Sequence, residues 1–133
     1  MPSTSRQITG RLGERLAAEY LLQCGYQILA RNVRTAYGEI DLIALQETSS
    51  RLENSYSAGK VLVFVEVKTR RSGGFGLPEE SITASKKAHM LAAAQAYLQT
   101  NPELDGDWRL DVIAVRLSKL QEAEIVHFES IVP

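Results

Sequence analysis

The chain has 133 residues, 44% hydrophobic and 23% charged, which is enough to close one core and too few for two ordinary domains. Its one cysteine, Cys24, excludes an intramolecular disulfide scaffold and a cysteine-built zinc site. A net charge of −1 and a pI near 6.1 exclude a uniformly basic nucleic-acid coat, but the charge is uneven. Residues 60–90 carry six basic side chains against three acidic, and residues 101–133 three against seven, so a polyanion is expected to meet the middle of the chain.

The opening MPSTSRQITG lacks an apolar run, and residues 1–9 read as a flexible lead-in to a single domain spanning 1–133. The longest aliphatic and aromatic run is Val61-Leu62-Val63-Phe64-Val65, so neither a signal peptide nor a membrane span is expected, and the cytoplasm is the plain reading. From 11 to 24, Leu16, Ala17, Tyr20, Leu21 and Cys24 recur at helical spacing, with Thr9 as N-cap and Gly25 as a left-handed stop. Cys24 reads as a small buried apolar group. Residues 26–34, 38–45 and 60–69 read as strands, the last two rich in Ile, Leu and Val. Between them, 46–59 is a polar, Ser-rich exposed hairpin loop. A glycine-rich connection over 70–78 carries Phe75, read as a cover for the core in preference to a platform for a splayed base. An Ala-rich helix is expected over 83–100, stopped by Asn101-Pro102, followed by strands at 108–117 and 125–128. The order α-β-β-β-α-β-β describes a mixed sheet flanked by helices, an α/β or α+β sandwich with no phosphate-binding glycine loop after its first strand.

The chemistry concentrates in Gly38-Glu39-Ile40-Asp41-Leu42-Ile43-Ala44 and Val65-Glu66-Val67-Lys68. Strand alternation places Glu39 with Asp41, and Glu66 with Lys68, on common faces. If the hairpin closes by pairing Gln46 with Val61, Asp41 stands opposite Glu66 and Glu39 opposite Lys68. Ile43, Leu45, Leu62 and Phe64 then continue the same face inward. Two opposed carboxylates destabilise a sheet, and a divalent cation would reverse that sign; Mg²⁺ suits two acidic oxygens plus water and phosphate. A nearby lysine could hold or deprotonate a water, or steady a phosphate. Structural ion pairs are an equal alternative: Glu39 with Lys68, and Asp41 capping Tyr37-Gly38 or meeting Arg34. Against them stands the apolar character of both faces of 60–69 up to Glu66, because charges on a central strand are costly unless compensated. Glu14 lies beside the helix's apolar stripe, which makes it either an acid facing the sheet or a first-turn group complementing the helix dipole, with equal weight.

These residues carry a resemblance. GEIDLIA at 38–44 and VFVEVKTR at 63–70 resemble the PD-(D/E)XK nuclease signature. With Gly13-Glu14, Ala17, Tyr20-Leu21, Gly25-Tyr26, Arg31-Asn32-Val33-Arg34, Ile82-Thr83, Lys86 and the strand Asp111-Val112-Ile113-Ala114-Val115, the chain is similar to the YraN-like proteins, relatives of archaeal Holliday-junction resolvases. The resemblance implies a restriction-endonuclease-like fold in which Asp41, Glu66 and the Val67 carbonyl bind Mg²⁺ or Mn²⁺. Lys68 would act on the attacking water, and Glu14 would be an outer acid. Ile40 replaces the proline often found before the first acid. The implied activity is endonucleolytic cleavage of branched or otherwise non-standard DNA, by a homodimer, since resolvases usually act as dimers. A different class of reading is a non-catalytic nucleic-acid-binding or adaptor protein that keeps the fold, motivated by the modest positive charge and short chain. Arg31, Arg34, Arg70, Arg71, Lys86 and Lys87 are candidate phosphate contacts, the last two near a helix N-terminus. His89 and His127 have no ligand partner at metal spacing and read as surface or half-buried residues.

Overall fold

The computed structural model describes residues 4–47, 59–71 and 82–131. Residues 48–58 of the expected hairpin loop, and the expected connection carrying Phe75, lie outside these residues. Helix α1 (Ser5–Gln23) begins earlier than its apolar spacing suggests, so residues 5–9, expected as a lead-in, are helical. The cap is Thr4, not Thr9: its hydroxyl accepts from the Gln7 amide at 3.1 Å, and the Gln7 side chain accepts from the Thr4 amide at 2.9 Å, a reciprocal capping box. Gly25 stops the helix as expected, at φ +89°, with the Tyr26 amide donating back to the Leu21 carbonyl at 2.9 Å. Cys24 sits at this stop and is exposed, contrary to the buried role read from its spacing.

Strands β1 (Gln27–Thr35), β2 (Gly38–Glu47), β3 (Lys60–Arg71), β4 (Asp107–Leu117) and β5 (Glu124–Phe128) form one sheet in sequential order. The β3–β4 pair is parallel and the others are antiparallel, so α2 (Ala84–Thr100) is the crossover between parallel neighbours. This is the α/β architecture anticipated, α-β-β-β-α-β-β with a mixed sheet between two helices, consistent with a restriction-endonuclease-like fold. Among the described residues no helix is long and apolar enough to cross a membrane.

β3 is central, and every residue from Leu62 to Glu66 is buried. On one face Ala17, Ala18 and Leu21 of α1 pack on Leu42, Ala44, Val63, Val65, Ile113 and Val115. On the other, Ala93 and Ala94 of α2 pack on Ile40, Ile43, Leu62, Phe64 and Leu110, with the Phe64 ring edge-on to Tyr97 and Trp108. The small alanines let each helix lie close to the sheet. Gly13 takes this further: a Cβ there would collide with the Thr69 hydroxyl of β3. Gly13→Ala is therefore expected to cost ~1–3 kcal/mol in urea unfolding, the usual cost of overpacking.

Candidate functional site

The site forms where the β2–β3 ladder ends. The sequence register holds from Glu47–Lys60 to Leu42–Val65, where the Cα pairing stops. Glu39 therefore has no Cα partner on β3, and the expected Glu39–Lys68 ion pair does not form; Lys68 meets Glu66 instead. Strict alternation would put Ile40 and Leu42 on one face, yet Ile40 packs on the α2 side and Leu42 on the α1 side. The turnover falls at Asp41. Asp41 therefore does not continue the face of Ile43 and Leu45, as alternation suggests. Its Oδ2 accepts the backbone N–H of Val67 at 2.8 Å, so a side chain holds a β3 amide in place of a β2 carbonyl.

That bond places the Asp41 carboxyl beside the residue that follows Glu66, close enough for the two acids to act on one another. Burial, then the charge of Glu66, push the Asp41 carboxyl up to about 7, with Glu14 adding to the rise and the Val67 amide opposing it. Glu66 is only 8% exposed. Its Oε1 meets two ammonium groups, Lys86 Nζ at 2.9 Å and Lys68 Nζ at 3.8 Å. Lys86 reaches it from the first turn of α2, where its own amide donates to the Thr83 cap.

Glu14 enters from α1, which Gly13 holds close to β3. Burial raises its pKa, the Asn32 amide lowers it, and Glu39 and Glu66 raise it further. With its amide oriented to satisfy both neighbours, Asn32 donates to Glu14 Oε2 and Glu39 Oε1, each at 3.0 Å. Asn32 sits at φ +50°, a left-handed conformation that Asn tolerates better than most residues. Glu14 thus faces the sheet, which resolves its two alternatives. Neither the tie to Asn32 nor the left-handed conformation is visible in residue spacing.

The structure brings Glu14, Asp41, Glu66, Val67, Lys68 and Lys86 together. Arg31 and Arg34 are exposed on edge strand β1 and make no ion pair among the described residues. Arg71 lies on the α1 side, donating to the Thr9 hydroxyl at 2.8 Å. Lys87 is half-buried beside Lys86 on α2, and His89 is exposed with Nδ1 2.7 Å from the Ser85 carbonyl.

A second polar cluster escaped the sequence reading. Asp111, fully buried on β4, accepts from Arg109 Nε at 3.0 and 3.2 Å, from His127 Nε2 at 2.7 Å and from the Ser130 amide at 3.0 Å. Arg109 also reaches Gln46 and the Tyr26 hydroxyl, and His127 Nδ1 lies 3.0 Å from the Tyr20 hydroxyl. These residues come from four elements, α1, β2, β4 and β5, with Tyr26 before β1 and Ser130 after β5, so no spacing announces the network.

The sequence profile of the uncharacterised protein family UPF0102 matches residues 13–115. This chain belongs to the UPF0102 family. It is 42% identical over 115 residues to a UPF0102 protein of Dehalococcoides mccartyi, covering 86% of this chain and 85% of that one. It is 43% identical over 127 residues to a UPF0102 protein of Chlorobium chlorochromatii, covering 96% and 88%. A Herpetosiphon aurantiacus UPF0102 protein is 40% identical over 131 residues, covering 95% of this chain and 94% of that one. The matched span of the UPF0102 profile contains all the site residues named above, from Glu14 to Lys86.

The donor set has a clear chemical character. Among the described residues no three His, Cys, Asp or Glu side chains approach closely enough to cage an ion, so the acidic oxygens form a pair, Asp41 and Glu66. Hard carboxylate oxygens in a pair, without a full protein cage or a His or Cys donor, fit Mg²⁺ or Mn²⁺ better than zinc. A cation there would also offset the burial and the Glu66 charge that together raise the Asp41 carboxyl.

Proposed function

We propose that this UPF0102 protein is a metal-dependent DNA endonuclease that acts on branched or otherwise non-standard DNA. The observation that carries the reading is the juxtaposed Asp41–Glu66 pair at the broken ladder, with Lys68 on the same carboxylate. Asp41, Glu66 and the Val67 carbonyl would hold Mg²⁺ or Mn²⁺, which supplies Lewis-acid polarisation of the scissile phosphate when bound. Asp41 is fixed for this by the Val67 amide, which locks one oxygen and orients the other. Lys68 positions the attacking water and takes part in its deprotonation. Hydrolysis adds that water across one P–O bond, leaving a phosphate monoester and a free hydroxyl end. Glu14, tied through Asn32 to Glu39, adds negative potential at the edge of the site and helps retain the cation. A homodimer would present two such sites to the arms of one junction, and sedimentation with junction DNA checks it.

One observation favours a second reading, an adaptor that binds nucleic acid without cutting it: Lys86 Nζ lies 2.9 Å from Glu66 Oε1 and is placed to balance that carboxylate itself. Labelled duplex, flap and four-way-junction DNA, incubated with Mg²⁺ or Mn²⁺, separates the two. Cleavage by the parent that drops at least ~10²-fold in Lys68→Ala supports the endonuclease. A pure parent protein that binds DNA and cuts nothing supports the adaptor, and a variant that cuts as well as the parent contradicts the role given to Lys68.

A further inference from the structure

Beyond the acid pair and Lys68, β3 carries Arg70, a cation that no role yet explains. Thr69 abuts Gly13, and Arg71 reaches Thr9, so both point to the α1 side of the sheet. Alternation then sends Glu66, Lys68 and Arg70 to the opposite side. On β4, Ile113 and Val115 belong to the α1-side core, which leaves Ala114 and Arg116 on that same opposite side. The parallel register sets Lys68 beside Ala114 and Arg70 beside Arg116. Three cations thus extend from Glu66 along one face, two of them arginines in neighbouring strands.

This arrangement is unfavourable in isolation. Like charges side by side in a sheet destabilise it by a few tenths to ~1 kcal/mol. Arg70 Nε is buried without a hydrogen-bond partner, the one such side-chain atom among the described residues. Neither Arg70 nor Arg116 makes an ion pair among the described residues, although Glu124 of β5 stands opposite Arg116 in register. An anion with repeating charges relieves the repulsion and gives the Arg70 guanidinium the counter-charge it lacks among the described residues. Residues two apart on a strand are ~6.6 Å apart, close to the separation of successive phosphates on one nucleic-acid strand.

We propose that Lys68, Arg70 and Arg116 form a phosphate track holding the backbone of one nucleic-acid strand as it leaves the Asp41–Glu66 site along β3. The track deepens the endonuclease reading by naming the surface that holds the substrate strand, and it rests on that reading only for the identity of that strand as the one cut. It also locates the positive middle of the chain, with Arg116 supplied by an otherwise acidic C-terminal segment.

The test is DNA binding in EDTA, where no hydrolysis occurs. Fluorescence anisotropy with labelled single-stranded and four-way-junction DNA gives affinity from about 50 to 200 mM salt. Arg70→Met and Arg116→Met are each expected to lower the log–log salt slope by about 0.7–1, the loss of one phosphate contact. Arg70→Lys and Arg116→Lys should keep most of the slope. Lys60→Met, at the far end of β3 beside Glu47, should leave it unchanged. Thermal melts confirm folding of each variant. The track is overturned if the parent binds no DNA, or if the methionine variants alter the slope no more than Lys60→Met does. Slope-dependent binding by the parent with no cleavage on adding Mg²⁺ would leave the track standing and remove the endonuclease reading.

Discussion

Asp41→Asn should abolish metal-dependent DNA cleavage, with a loss of at least ~10³-fold, while making the metal-free protein more stable at pH 8. The two effects have one cause. The Asp41 carboxyl is raised to about 7, first by burial and then by Glu66, so the folded state favours its protonated form. A raised carboxylate pKa means that folding stability declines as pH climbs from the unfolded value near 4 through about 7. The neutral amide removes that decline. A gain of ~1–3 kcal/mol at pH 8, shrinking toward nothing near pH 4, is the expected result in denaturant melts with EDTA. Mg²⁺ should stabilise the parent and not the variant, because a ligand binding only the folded form raises apparent stability. A variant that is destabilised at pH 8, or one that still cuts, would separate Asp41 from the role given to it.

Asp111→Ala should be the most destabilising single change in the molecule, at ~3–5 kcal/mol, because it strands the half-buried Arg109 guanidinium and removes the acceptor for His127. Glu129, exposed and 3.7 Å from Arg109, is too solvated to substitute. Burial alone would raise the Asp111 pKa, but hydrogen bonds from His127, Arg109 and Ser130 outweigh it and hold the carboxyl below its ordinary value. A lowered carboxylate pKa contributes stability that is fully present above the unfolded value near 4 and is lost as pH falls through the lower folded value. The parent should therefore lose this increment on strong acidification, and the variant should have none to lose. Thermal melting at pH 7 and at successive acid steps measures both. A variant melting within about 2 °C of the parent would contradict the role of the network, since each kcal/mol shifts a domain of this size by several degrees.

What was legible in the sequence follows from which forces leave a local trace. The hairpin register over 42–47 and 60–65 was readable because aliphatic residues alternate against aliphatic residues, and a one-residue slip would expose them. The break at Asp41 was not, because it arises when a carboxylate takes a backbone amide, an event with no periodicity. Glu14 could be placed beside an apolar stripe, but its link to Glu39 passes through Asn32 in a left-handed conformation, which depends on the path of β1. Lys86 was recognisable as a cation near a helix start. Its contact with Glu66 required knowing that α2 crosses between parallel strands at that point. Arg116 and the Asp111 network depend wholly on tertiary pairing. The capping box at Thr4 is different: its Thr-x-x-Gln pattern stands in the sequence, upstream of the apolar stripe that marked the helix.

The central claim is that Asp41 and Glu66 together hold a divalent cation. Calorimetric titration of the protein with Mn²⁺ at pH 8, alone and with junction DNA, measures this without reference to turnover. The account requires one Mn²⁺ per chain, with binding lost in Glu66→Gln and in Asp41→Asn. No binding by the parent under either condition, or equal binding by Glu66→Gln, would contradict it.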